Sequence, residues 1–148
     1  MAYTKGIAET IDEVRKAKTN KAKVAILQEN NQQWMHQVLY MTYSPSWEWK
    51  LPEGKPPYSP LDATTDMEGQ LFAELERFYM FRTPGPNGSN IGHPDLTQQR
   101  RETLFVQVLE SIAPKDAELV IEMKSNKIKG VPLSVVNEAF PGLLDANL

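Results

Sequence analysis

Lys21 to Pro52 reads KAKVAILQENNQQWMHQVLYMTYSPSWEWKLP, and within it a helix, a break, a second helix and a proline stop follow one another. Val24 and Leu27 share one face of the segment Lys21 to Glu29, which follows the cap-type residues Thr19 and Asn20. From about Gln32 to Thr42, Trp34, Val38 and Met41 recur at helical spacing, with Met35, Leu39 and Thr42 beside them. Ser44 to Thr64, SPSWEWKLPEGKPPYSPLDAT, then carries five prolines, and no helix passes through such a run. Extended or polyproline-like backbone is expected there. It reads either as a surface loop pinned by Trp47, Trp49, Leu51 and Tyr58 or as a proline-rich docking peptide.

The same periodicity extends in both directions. Ile7, Ile11 and Val14 predict an amphipathic helix over Ile7 to Lys18, and the short links to the next two helices predict antiparallel neighbours. Thr65-x-x-Glu68 has the form of a capping box opening a fourth helix, with Met67, Leu71, Leu75 and Phe78 as its apolar stripe. TPGPNGSNIGHPD, Thr83 to Asp95, is an exposed loop by its glycines and prolines. Asp95-x-x-Gln98 caps a fifth helix that presents Phe105, Val108, Leu109 and Ile112. Pro114 suits the first turn of a sixth, where Asp116 and Glu118 complement the dipole and Leu119, Val120 and Met123 face the core. Gly130 ends the turn after it, and Pro132 to Phe140 forms a last short helix stopped by Pro141-Gly142. No segment alternates with period two between hairpin turns. The expectation is an all-α fold: one compact domain, residues 1–148, of six to seven helices with a long Pro-rich loop.

At 148 residues, 41% hydrophobic and 24% charged, the chain has the composition of one globular domain. A net charge of −3 and a pI of about 5.4 give no bulk attraction to nucleic acid, so any such site is a local patch. The absence of cysteine excludes disulfides and thiolate chemistry and suits a reducing compartment. The first residues, MAYTKGIAETIDEVRKAK, lack the apolar core of a signal peptide, and no run matches a membrane span. The expected location is cytoplasmic.

Little in the sequence points to catalysis. His36 and His93 lack the spacing of a metal-ligand pair. The carboxylates, Glu9, Asp12 and Glu13, Glu74 and Glu76, Asp116 and Glu118, suit solvated helix faces or helix starts. TPGPNGSNIG is not followed by the Gly-Lys-Ser/Thr of a P-loop, and there is no dinucleotide fingerprint. The expectation is a non-enzyme without metal or cofactor. Three basic groups remain: Arg15, Lys16, Lys18, Lys21 and Lys23 at the first interhelical corner, Arg100 and Arg101 near the start of the fifth helix, and Lys124, Lys127 and Lys129 around the last turn.

Two stretches, Lys21 to Pro52 and KDAELVIEMKSNKIKGVPLSVVNEAFPGLL (Lys115 to Leu144), carry a family resemblance. Ala25, Ile26, Leu27, Asn30, Val38, Tyr43 and Ser44 in the first, and Lys124, Gly130, Val131, Ser134, Asn137, Phe140, Pro141, Gly142 and Leu143 in the second, resemble the all-helical N-terminal DNA-binding domain of phage ATP-dependent DNA ligases. The segments LPEGKPPY (Leu51 to Tyr58) and RRETLF (Arg100 to Phe105) are also similar to phage proteins of unknown function, a likeness that carries no chemistry. The Lys-x-Asp-Gly motif by which a ligase takes up AMP is missing. The resemblance therefore implies a DNA-binding module without ligase activity, an accessory in phage DNA replication or repair in the host cytoplasm.

Together with the three basic groups, it implies phosphate contact with duplex DNA, nicked duplex included, through Lys21, Lys23, Ser44, Arg100, Arg101, Lys124, Lys127, Lys129, Gly130 and Ser134. Gly130 reads equally as a close approach of backbone to phosphate or as a helix C-cap before Pro132. The alternative is a protein-interaction adaptor for a replication or host protein, anchored by exposed Trp47, Trp49 and Tyr58. Neither reading involves a membrane.

Overall fold

The computed structural model describes residues 6–44, 47–52, 54–59, 71, 74–82 and 96–144. Seven helices lie among them: α1 (Ile7–Lys16), α2 (Asn20–Glu29), α3 (Gln33–Tyr43), α4 (Leu75–Phe81), α5 (Gln98–Ser111), α6 (Pro114–Lys124) and α7 (Leu133–Ala139). The fold is all-α. The only extended pairing among the described residues is an antiparallel bridge between Trp49 and Arg82, next to the bond from Lys50 N–H to Phe81 O.

Helix boundaries follow local chemistry. Thr19 caps α2, its hydroxyl accepting the Ala22 N–H at 3.1 Å. Thr97 caps α5 in the same way, accepting the Arg100 N–H at 3.2 Å; the Asp95 expected in that role lies outside the described residues. Gly6 precedes α1 and has no side chain to offer, and the Asp116 carboxylate supplies the cap across the fold, accepting the Ala8 N–H at 3.0 Å. Asp116 thus does more than complement its own helix dipole. Pro114 occupies the first turn of α6, where a missing N–H costs nothing. α6 ends at its C-cap Ser125, followed by the left-handed Asn126 at φ 65°, and Gly130, also left-handed at φ 84°, ends the turn beyond it rather than capping the helix. The fourth helix departs further. Its described part is 3₁₀ from Leu75, preceded by helical Leu71 and Glu74, with Leu71, Leu75 and Phe78 buried. The capping box at Thr65 and the His93 loop lie outside the described residues.

The helices run in a fixed sense. α1 and α6 lie side by side and parallel, joined by Ala8 to Asp116 at their starts and Arg15 to Glu122 at their ends. α2 and α7 are also parallel, tied by Lys23 to Gly130 at one end and Gln28 to Ala139 at the other. α3 opposes α7, with Tyr43 bonded to Val131 at its end and the His36 ring edge-on to Phe140, 4.9 Å away, near its start. α5 turns back on α6 through Ile112 and Ala113.

The core is continuous. Ile7, Ile11, Val14, Leu27, Met35, Val38, Leu39, Leu109, Leu119, Val120, Met123, Val131 and Val136 are fully shielded from solvent, each worth roughly 1.5–3 kcal/mol of burial. An aromatic sector made by Trp47, Trp49, Phe78, Phe81 and Phe105 joins it, the rings meeting edge-on at centroid distances of 5.3–6.4 Å.

Candidate nucleic-acid interface

The topology gathers the end of α1, the start of α2, the end of α3, the start of α5, the end of α6 and the start of α7 at one end of the bundle. That end carries Lys16, Lys18, Lys21, Lys23, Arg100, Lys127 and Lys129. Acids at this end include Glu48, Glu102 and Glu122. The opposite end is richer in acids: Glu9 starts α1, Asp116 and Glu118 sit with Lys115 at the start of α6, and Glu29, Glu110 and Glu138 close α2, α5 and α7. A chain of net charge −3 therefore has a cation-rich end, an arrangement that net charge conceals.

At the centre of that end is the turn from Lys127 to Gly130, gripped from three sides. Arg15 Nη1 lies 2.9 Å from both carboxylate oxygens of Glu122 and donates to Lys129 O at 3.2 Å. The same Glu122 accepts the Lys129 N–H at 3.0 Å. Lys23 Nζ donates to Gly130 O at 2.7 Å. The Tyr43 hydroxyl accepts the Ile128 N–H at 3.0 Å and donates to Val131 O. Burial pushes the Tyr43 phenol above its ordinary pKa of 10.0, with the Ile128 hydrogen bond opposing and Glu122 adding to the rise. Gly130 sits at φ +84°, and a Cβ there would come within 3.0 Å of the Arg15 side chain. The left-handed angle strains any other residue and the packing leaves little room for a Cβ, so the glycine serves the close approach of α1.

The proposed contact residues separate into two groups. Lys21, Lys127, Lys129 and Ser134 are exposed around this turn, and Lys23 is half-buried at its edge. Arg100 is exposed at the start of α5, at the same end. Gly130 is half-buried against Arg15, and the fold absorbs the other three. Arg101 is 1% exposed, donating to Met80 O at 2.9 Å, Leu96 O at 3.0 Å and Gln98 Oε1 at 2.7 Å, so it organises the start of α5 rather than facing outward. Lys124 is 7% exposed, with its ammonium 2.7 Å from both Pro52 O and Gly54 O. Ser44 is buried and donates to Leu144 O at 3.0 Å.

The aromatic anchors of the adaptor reading are likewise drawn inward. Trp47 is buried beneath Arg82, whose guanidinium lies 4.7 Å from its ring. Trp49 is half-buried among Trp47, Phe78 and Phe105, and its indole N–H donates to Met41 O at 2.8 Å. They pin the Pro-rich segment from inside, as the loop reading of that segment had it. Tyr58 stays half-exposed, with Lys55 Nζ 5.6 Å from its ring centroid.

The resemblance positions meet one another. Tyr43 and Ser44 from the first stretch hydrogen-bond Val131 and Leu144 from the second, so they have a structural role in joining the two stretches. Sequence reading missed Glu122 as the acceptor that fixes Arg15 and Lys129, and no local pattern signals its partnership with Arg15, 107 residues away.

No group of three or more His, Asp or Glu among the described residues could hold a metal. Nor is any helix among them long and apolar enough to cross a membrane. No curated protein matches the chain. A family model of unknown function, DUF6433, matches residues 10–130, which spans every element from α1 to the glycine turn. The chain belongs to that family of unknown function.

Proposed function

We propose that the protein is a non-catalytic, sequence-independent module that binds duplex DNA through its phosphates, as an accessory in phage DNA replication or repair. The observation that carries this reading is the braced turn. Lys127 and Lys129 stand exposed on backbone held by Arg15, Lys23 and Tyr43, with Lys21 and Ser134 alongside. A pre-ordered cationic surface loses little conformational entropy on binding, and phosphate contacts of this kind fix position without reading bases. Arg100 extends the same end. The resemblance to the ligase DNA-binding domain, which lacks here the motif for AMP transfer, supports the same reading.

Fluorescence anisotropy with labelled duplex and single-stranded DNA, titrated over a range of salt, tests it. Counterion release predicts a log–log slope of roughly −0.9 per phosphate, so four contacts give a slope of about −3.6. Absence of binding to duplex at low salt overturns it.

A protein-interaction adaptor is the second reading, favoured by one feature. A cleft of about 860 Å³ lies between the Pro-rich segment and α5, walled by Pro56, Pro57, Gln99, Phe105 and Val106. That reading requires a partner whose association is lost on Val106→Glu and retained on Lys127→Ala/Lys129→Ala.

A further inference from the structure

The cleft of about 860 Å³ has residues 54–57 on one side and α5 on the other, a volume in the range of ligand sites. Residues 54–59 run along it as a strap fastened at both ends, and the fastenings are unequal. At the near end the buried Lys124 ammonium donates to Pro52 O and Gly54 O, each at 2.7 Å, and Gln98 Nε2 donates to Lys50 O at 3.1 Å. Lys50 N–H donates in turn to Phe81 O at 2.7 Å. At the far end Ser59 N–H donates to Glu110 Oε2 at 2.8 Å, on the surface. That is the only hydrogen bond residues 55–59 make among the described residues. Lys55, Pro57 and Ser59 are exposed, and Pro56 and Tyr58 are half-buried. Between the firm end and the rest stands Gly54 at φ +87°, where a Cβ would meet nothing within 4 Å. The backbone angle alone calls for glycine at this position.

We infer that residues 54–59 form a lid over this cleft, pivoting on Gly54 and latched by Glu110. The lid depends on neither functional reading above and adds a moving part to the fold. A segment held by one exposed hydrogen bond lies at the low-stability end of a structure, whereas one anchored by a buried ammonium does not. Glycine exchanges left-handed for right-handed angles without steric cost, so the change of direction falls at Gly54. Pro56 and Pro57 keep φ near about −65°, so the part beyond the pivot moves as a stiff arm. Release of the latch swings that arm away from α5 and uncovers Gln99, Glu102, Thr103 and Val106, which line the same cleft. Opening breaks the Glu110 bond and leaves both Lys124 bonds made, so the near end stays in register while the far end lifts.

The experiment uses the full chain, which has no cysteine of its own, so engineered pairs take nitroxide labels at defined positions. Double electron–electron resonance measures the distance from Ser59→Cys on the strap to Ser134→Cys on α7. A control pair, Thr103→Cys with Ser134→Cys, reports α5 itself. All three positions are exposed, and Ser59→Cys keeps the backbone N–H that Glu110 accepts. Circular dichroism confirms that each variant is folded. The expected result is one dominant distance for the strap pair in the parent. Glu110→Ala removes the latch, and Gly54→Ala strains the pivot in its closed, left-handed form. Each should raise a second, displaced population about fivefold or more, with the control pair unchanged. Glu110→Gln, whose amide carbonyl still accepts the Ser59 N–H, should stay near the parent. A strap pair unchanged in both Glu110→Ala and Gly54→Ala, or a control pair that shifts with it, overturns the lid. A response to Glu110→Ala alone overturns the pivot at Gly54, and a response to Gly54→Ala alone overturns the latch.

Discussion

The Pro-rich segment from Trp47 to Ser59 and the turn from Lys127 to Gly130 are both irregular, and both are fastened by cations donating to backbone carbonyls. Lys124 holds Pro52 and Gly54; Lys23 and Arg15 hold Gly130 and Lys129. The difference is which way the side chains face. In the Pro-rich segment, Trp47 and Trp49 point into the aromatic sector, and the ammonium fastening it is spent inside the fold. In the turn the backbone faces the fold and its lysines face solvent. One segment seals the core and the other presents charge. A basic residue's place in the chain therefore says little about its role: Lys124 and Lys127, three apart, sit on opposite sides of this division.

The largest expected effect falls on the sealing segment. Trp49→Ala removes ring contacts to Trp47, Phe78 and Phe105 and leaves Met41 O without its donor, and should cost about 3–5 kcal/mol in urea unfolding. Lys124→Ala comes next. Two carbonyls lose a charged donor, so stability should fall by about 2–3 kcal/mol while the slope of DNA affinity against salt is unchanged. A shallower slope in that variant would break the distinction between the two segments.

Gly130→Ala probes the turn. A left-handed backbone angle and a Cβ 3.0 Å from Arg15 together predict a loss of about 1–3 kcal/mol, with weaker DNA binding because the lysines shift with the backbone.

Tyr43→Phe should cost about 1–2 kcal/mol and change the response to alkali. The folded protein holds this phenol above 10.0, so its contribution is complete below pH 10 and is lost as pH rises through the folded value. The variant should lose less stability between neutral and strongly alkaline pH. The remaining loss belongs in part to Tyr58, which burial, and then Glu118, also raise.

The smallest effect on stability, and the sharpest on binding, is expected from Lys127→Ala with Lys129→Ala. Both side chains are exposed, so unfolding should be unaffected, while the salt slope should become shallower by about 0.9 for each lysine that contacts a phosphate.

Helix positions were legible because they follow local rules. Apolar spacing located α1, α2, α3 and α5, Thr19 and Pro114 marked helix starts, and five prolines marked the break after α3. The 3₁₀ form of α4 was not, since its apolar stripe fits either helix. The candidate site was legible only as a set of residue types. Lys124 looked like Lys127, and Arg101 like Arg100, because a charged side chain carries no local sign of whether it will find carbonyls within the fold or water outside it.

By itself the sequence determined the all-α class, the helix order, the break after α3 and the supply of cations near three helix ends, all from forces acting within a few residues of chain. Tertiary structure alone decided which cations remain free. It brings Arg15, Lys23 and Tyr43 to the glycine turn from helices far away in sequence, sends Lys124 and Arg101 inward, and leaves Leu133 outside between buried valines. Burial and long-range hydrogen bonding set those outcomes, and they exist only once the helices have packed.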